Sequence, residues 1–200
     1  MGRRSLIGMT SRPSRRIDPR ISLAVSMHDQ PGVFALLIGS GTSTGAGIQT
    51  GWGVIKDLVA KAAAAAGEGL PEDPTDADFE AWWDTHGDGN DLGYSNLLEN
   101  LGSTQATRSA LLNGYFEPSE EERAAGVKVP GKAHHAIAEL ARRGSVRVLV
   151  TTNFDGLLEQ ALEAASVPHQ VLTSDAAVEA RMPLVHAGCT VVKIHGDYRS

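Results

Sequence analysis

The stretch that most constrains this chain runs from Phe34 to Trp52, FALLIGSGTSTGAGIQTGW. An apolar run, Phe34-Ala35-Leu36-Leu37-Ile38, enters a turn carrying Gly39, Gly41, Gly45, Gly47 and Gly51. A helical pattern follows, Val54-Ile55-Lys56-Asp57-Leu58-Val59. A buried strand passing through glycines into a helix is how α/β proteins build a dinucleotide phosphate site: glycines let the backbone approach a pyrophosphate, whose charge faces free N–H groups and a helix N-terminus. A plain tight turn has the same look, and the loop alone does not separate the two. The strict GxGxxG fingerprint is absent, because Gly39-Ser40-Gly41-Thr42-Ser43-Thr44 ends in threonine, and no Gly-Lys-Ser/Thr follows.

The chain has 200 residues, 42% apolar and 21% charged, which suits one generous globular domain with a sizeable core. Its single cysteine, Cys189, excludes a disulfide framework and an all-cysteine zinc site within the chain. That usage fits a reducing, cytoplasmic setting. No apolar run approaches the roughly 18 residues that span a bilayer, so no membrane partner is expected. Residues 1–20 hold six arginines (Arg3, Arg4, Arg12, Arg15, Arg16, Arg20) against Asp18. With −6 for the whole chain and +5 for this stretch, the remainder carries −11. A body that acidic repels a nucleic-acid backbone, so direct nucleic-acid binding is not expected. Residues 1–30 read as a disordered basic tail; the Arg3-Arg4 pair has no apolar core behind it of the kind an export signal carries.

Beyond the glycine turn, a helix is expected over about 52–66, ending in the alanine block Ala62–Ala66. Residues 70–128 or so read as a helical insertion, with short helices at 79–83, 94–101, 108–116 and 119–125. Trp82 and Trp83 are expected to anchor its packing. Pro130-Gly131 opens another helix, within which the adjacent His134 and His135 point to different faces, so a surface or core-edge role is expected for them. Buried strands follow at 146–150 and 190–194, with a short one at 169–173. The fold class implied is α/β: a Rossmann-like parallel sheet with helices on both faces and a helical insertion between the first and second strands. The continuous apolar run of the first strand suggests cover on both of its faces.

Three strand ends carry unusual chemistry: the glycine turn, Thr151-Thr152-Asn153-Phe154-Asp155, and His195-Gly196-Asp197. In a parallel sheet they converge on one edge. Thr152, Asn153 and Asp155 could instead cap the helix that follows, although capping needs only one of them.

In these residues the chain resembles the sirtuin (silent information regulator) family over about 33–197. The family's glycine loop, GAGxSxxxGIP, aligns with Gly39-Ser40-Gly41-Thr42-Ser43-Thr44-Gly45-Ala46-Gly47-Ile48-Gln49; its TQNID with 151–155; its catalytic LHG with Ile194-His195-Gly196. Thr152 and Phe154 replace Gln and Ile, Gln49 replaces Pro, and the family's four-cysteine zinc module cannot be built, so no metal site is expected. TTNFDxLLE and KIHGD look more like the bacterial branch found in anti-phage and other stress-linked proteins, whose members hydrolyse NAD+. The resemblance implies NAD+ as substrate and a sirtuin-like NAD-binding domain over 31–200. It also implies that this domain is C-terminally incomplete, with a homo-oligomer or an additional C-terminal domain as partner.

The resemblance assigns roles as well. Gly39, Ser40, Gly41, Thr42 and Ser43 would cradle the pyrophosphate, and Gly47, Ile48 and Thr152 would complete the cofactor site. Asn153 would hold the ribose or the attacking water, Asp155 the nicotinamide carboxamide, and His195 would act as general base. The leading expectation is an NAD+ hydrolase releasing nicotinamide and ADP-ribose. The alternatives are an NAD-dependent protein deacylase and a non-catalytic NAD or ADP-ribose sensor on the same fold.

Overall fold

The computed structural model describes residues 17–199. Its centre is a sheet of four parallel strands, β1 (Phe34–Ile38), β2 (Val146–Thr151), β3 (His169–Leu172) and β4 (Cys189–Lys193), in the order β1-β2-β4-β3. Strand order does not follow chain order: β4 slots between β2 and the four-residue β3. The helices that flank the sheet are α1 (Pro19–Asp29), α2 (Gly41–Thr44), α3 (Gly51–Ala65), α4 (Asp76–His86), α5 (Tyr94–Leu101), α6 (Gln105–Phe116), α7 (Glu120–Ala124), α8 (Lys132–Arg142), α9 (Leu157–Ala164) and α10 (Asp175–Glu179). None is long and apolar enough to cross a membrane.

Two apolar clusters divide the work. One joins Ile38, Leu149 and Val191 of the sheet to Ala138 and Ala141 of α8 and to Leu158, Ala161 and Leu162 of α9. The other gathers α3, α4, α5 and α6 around Val54, Leu58, Trp83, Leu97 and Leu112, and includes Leu157 and Tyr198 from beyond the ends of β2 and β4. The insertion thus packs at the C-terminal end of the strands. Both tryptophans serve that packing: Trp83 is buried and donates its Nε1–H to the Asn90 carbonyl, while Trp82 stacks on His86.

Several expectations are corrected. At β1 the cover is one-sided, since Ala35 is exposed and Leu37 is 78% exposed while Ile38 is buried. As an outer strand it alternates as a half-buried strand does, whatever its composition. Of the tail expected over 1–30, residues 1–16 lie outside the described residues. Residues 19–29 form α1, opened by Asp18, whose carboxylate accepts the Arg20 N–H, and by Pro19 in the first turn. His134 sits neither on the surface nor at the core edge: it is fully buried, while His135 is exposed.

Candidate functional site

Ladder register sets the frame. Ile38 pairs with Thr151, and Thr151 with Lys193, so the chain leaves β1, β2 and β4 side by side. Two further bonds extend the edge, Thr152 N–H to the Ile38 carbonyl and Ile194 N–H to the Thr151 carbonyl, each 3.1 Å. Neighbouring strands lie about 4.8 Å apart, which puts the glycine turn and the 194–197 turn roughly 10 Å from one another along the edge.

The turn after β1 is a single helical turn, α2, entered at Ser40. Its backbone bonds start at Thr42 N–H, which donates to the Gly39 carbonyl at 3.1 Å, so the amides of the exposed Ser40 and Gly41 stay outside them. Thr42 Oγ1 donates to the Gly39 carbonyl and Thr44 Oγ1 to the Gly41 carbonyl. The glycines do different things. Gly47 has φ +84°, and a Cβ there would come within 2.7 Å of Val127 Cγ1. At Gly41, Gly45 and Gly51 φ is not positive, and an added Cβ would meet no atom within 4 Å. Neither conformation nor crowding calls for glycine at those three; what they leave is an open backbone face.

Ser43 turns inward and is buried. Asn153 Nδ2 donates to Ser43 Oγ at 3.0 Å and to Thr42 Oγ1 at 3.3 Å, which ties the second motif to the first. On the far side of Ser43 lies His134 Nε2, 3.3 Å from Oγ. His134 Nδ1 accepts the Gly131 N–H at 3.1 Å, which puts the ring proton on Nε2 and makes the histidine the donor to Ser43. Burial pushes the His134 pKa below its ordinary value; the nearby Asp155 charge opposes that and His135 adds to it. A neutral histidine therefore braces the glycine turn. The carboxamide oxygen of Asn153, Oδ1, is buried and has no hydrogen-bond partner among the described residues, although such atoms almost always have one.

Asp155 Oδ1 accepts the Leu157 N–H at 3.0 Å, an amide at the start of α9 that has no partner within the helix. Ile48 is 5% exposed and belongs to the α3–α6 cluster, so its side chain is packing. Thr152 is half-buried beside Gly39, its Oγ1 being 3.8 Å from where a Gly39 Cβ would stand.

His195 is exposed at the turn after β4, which Gly196 closes with φ +81°. It lines a cavity of about 590 Å³ together with Trp52, Tyr94, Leu98, Arg108 and Phe154. Helix α6 offers this cavity one face, Gln105, Arg108, Ser109 and Leu112, at the i, i+3, i+4, i+7 spacing. Phe154 stacks on Tyr94 at 4.6 Å, and its ring centroid lies 6.3 Å from that of His195. The insertion therefore supplies the cavity's outer wall.

Beneath that turn is the first residue of KIHGD, to which the resemblance gave no role. Lys193, buried at the end of β4, meets Glu159, Asp197 and the carbonyls of Phe154 and Asp155. A lysine ending an apolar strand four residues before an aspartate was the available signal. Burial pushes the Asp197 pKa up, but the hydrogen bond and charge of Lys193 outweigh it, and the carboxyl lies below its usual range.

Residues 147–200 match the family model of a SIR2-like domain. That stretch, about a quarter of the chain, contains Asn153, Asp155, Lys193 and His195 and supports the sirtuin-like resemblance read from the second and third motifs. No curated protein matches the chain.

Proposed function

We propose that the chain is a sirtuin-like, NAD+-consuming domain, and specifically an NAD+ hydrolase that converts NAD+ and water into nicotinamide, ADP-ribose and a proton. The observation that carries this reading is the partnerless Oδ1 of Asn153, a buried acceptor bonded through its amide to the glycine turn. A site for a ribose hydroxyl or a water needs such an acceptor, and none of the described residues occupies it. The open backbone at Gly41 and Gly45 fits the same ligand, leaving room where phosphates approach free amides.

Cleaving the nicotinamide–ribose bond develops positive character on the sugar, so the site needs oriented dipoles and a proton acceptor more than a strong acid. Asn153 Oδ1 orients the water or hydroxyl. Ser43, which accepts hydrogen bonds from both His134 and Asn153, fixes that amide in place. His195 takes the proton from the cavity side. Asp155 Oδ1 accepts the Leu157 N–H, and its second oxygen would take the nicotinamide carboxamide, as the resemblance assigns. The likeness of TTNFDxLLE and KIHGD to the anti-phage branch is what supports a defence setting.

A second reading, NAD-dependent deacylation, is favoured by the cavity. At about 590 Å³, walled by Trp52, Leu98 and Leu112, it is larger and more apolar than a water requires.

The chain incubated with NAD+ is expected to release nicotinamide and ADP-ribose in equal amounts, and His195→Ala to lower the rate about 10²–10⁴-fold. Release that occurs only with an acylated lysine peptide selects the deacylase. Saturable ADP-ribose binding without turnover selects the sensor, and neither binding nor turnover ends the reading.

A further inference from the structure

Lys193 has side-chain accessibility of 0%. Its ammonium donates to the Asp155 carbonyl at 2.7 Å and the Phe154 carbonyl at 3.4 Å, and pairs with Glu159 at 2.8 Å and with Asp197. These acceptors come from three segments: the turn after β2, the first turn of α9, and the turn after β4. Arg199 Nε meets the other Asp197 oxygen at 3.2 Å, so the cluster of two cations and two carboxylates is neutral. The two carboxylates balance the two cations. The carbonyls of Phe154 and Asp155 are beyond what neutrality needs, and together with Asp197 they lie on the two turns that carry Asn153 and His195.

We propose that Lys193 is a positioning residue: its buried ammonium locks the turn after β2 to the turn after β4 and so sets the His195 imidazole against the Asn153 amide. The activity readout rests on the NAD+-consuming reading above, whereas the spectroscopic one does not. A buried cation is suited to this task because it draws carbonyl and carboxylate oxygens from any direction to one point, which an apolar side chain cannot do. The turn after β4 is also held by the Ile194 N–H on the Thr151 carbonyl and the Gly196 N–H on the Lys193 carbonyl, each at 3.1 Å, and by the buried Tyr198, which donates to Glu117; the ammonium adds the link to the carbonyls of Phe154 and Asp155, next to Asn153.

The test uses the whole chain and the double variant Lys193→Met with Glu159→Gln, which removes the ammonium without stranding the Glu159 charge. ADP-ribose affinity, NAD+ turnover and the His195 imidazole proton resonance, assigned by its loss in His195→Ala, are measured together. Affinity is expected to stay within about threefold while kcat falls about 100-fold, as misplacement of a reacting group by an ångström does. Adding His195→Ala is expected to lower kcat no further than His195→Ala alone, since the two changes remove one function. The His195 resonance is expected to shift and broaden while that of His28 on α1 stays put. Lys193→Arg, which keeps the charge with a different reach, is expected to recover part of the rate. Losses that multiply with His195→Ala, or an unmoved His195 resonance, overturn the proposal. If the wild-type chain does not cleave NAD+, the resonance decides alone: moved, Lys193 positions His195 and only the NAD+ reading falls; unmoved, the positioning role falls too. If the double variant does not fold, Lys193→Arg carries the same comparison with the same overturning results.

Discussion

The turn after β1 and the turns after β2 and β4 meet at one sheet edge but are held in opposite ways. The glycine turn is exposed and sustained by its own short-range bonds, Thr42 and Thr44 hydroxyls to carbonyls three residues back, with Ser43 as its inward anchor. The other two turns are fastened from beneath by a buried ammonium and by the Asp155 bond to the Leu157 N–H. Open backbone suits a surface that must accept a charged, variable ligand; buried ionic links suit side chains that must keep one geometry. The same contrast ranks the consequences of mutation. Removing a buried link leaves stranded charges and is costly, whereas altering the open face touches the ligand and leaves the fold alone.

The largest effect is expected at Lys193. Lys193→Met alone strands the Glu159 carboxylate and leaves Asp197 to Arg199, and the loss is expected to be about 3–5 kcal/mol in urea unfolding. A loss near zero would mean that the two turns after β2 and β4 hold themselves as the glycine turn does.

His134 is expected to come next, because it braces the exposed turn from the inside. His134→Leu strands the Gly131 N–H and removes a donor from Ser43, and a loss of about 2 kcal/mol is expected. The folded protein holds His134 below the ordinary pKa of 6.5 that the unfolded chain shows, so the unfolded state binds the extra proton first. Its contribution is therefore complete above pH 6.5 and is lost as the pH falls from there toward the folded value. Urea midpoints taken from about pH 7.5 down to 5 are expected to fall more steeply for wild type than for His134→Leu. Parallel slopes would show that the buried ring bears no linkage.

What the sequence discloses of this site follows the range over which each signal acts. Period and capping act over a few residues, so α5 lies where its pattern puts it, and Asn153 and His195 stand at strand ends as the motifs imply. The link from Ser43 to His134 spans 91 positions, and nothing local distinguishes a buried member of a His-His pair from its exposed neighbour. Lys193 ends a run of apolar residues and reads as the strand's polar limit, although its partners Glu159 and Asp197 lie on separate segments. The place of β4 between β2 and β3 is equally silent, because side-chain alternation reports which face is covered and not which strand is adjacent. One-sided cover of β1 was hidden for the converse reason: Ala35 and Leu37 are apolar yet exposed.

Within the glycine turn itself, two substitutions separate what the fold requires from what a ligand would require. Gly47→Ala combines a left-handed backbone with a contact to Val127, and a loss of about 1–2 kcal/mol is expected from the backbone alone. Gly41→Ala should behave otherwise. Its φ is not positive, nothing lies within 4 Å of the new methyl, and the position opens α2, where alanine is the better residue. Thermal stability is expected to be unchanged or to rise by up to about 1 kcal/mol, since alanine also narrows the unfolded ensemble. The methyl stands on the open face assigned to phosphate, so ADP-ribose binding measured by calorimetry is expected to weaken by about tenfold or more. The separation of the two effects is what matters: a methyl that leaves the fold intact and blocks the ligand marks space kept for a ligand. Binding as tight as wild type would make the glycine turn a bend in the chain and nothing more, and would move the phosphate site away from Gly41.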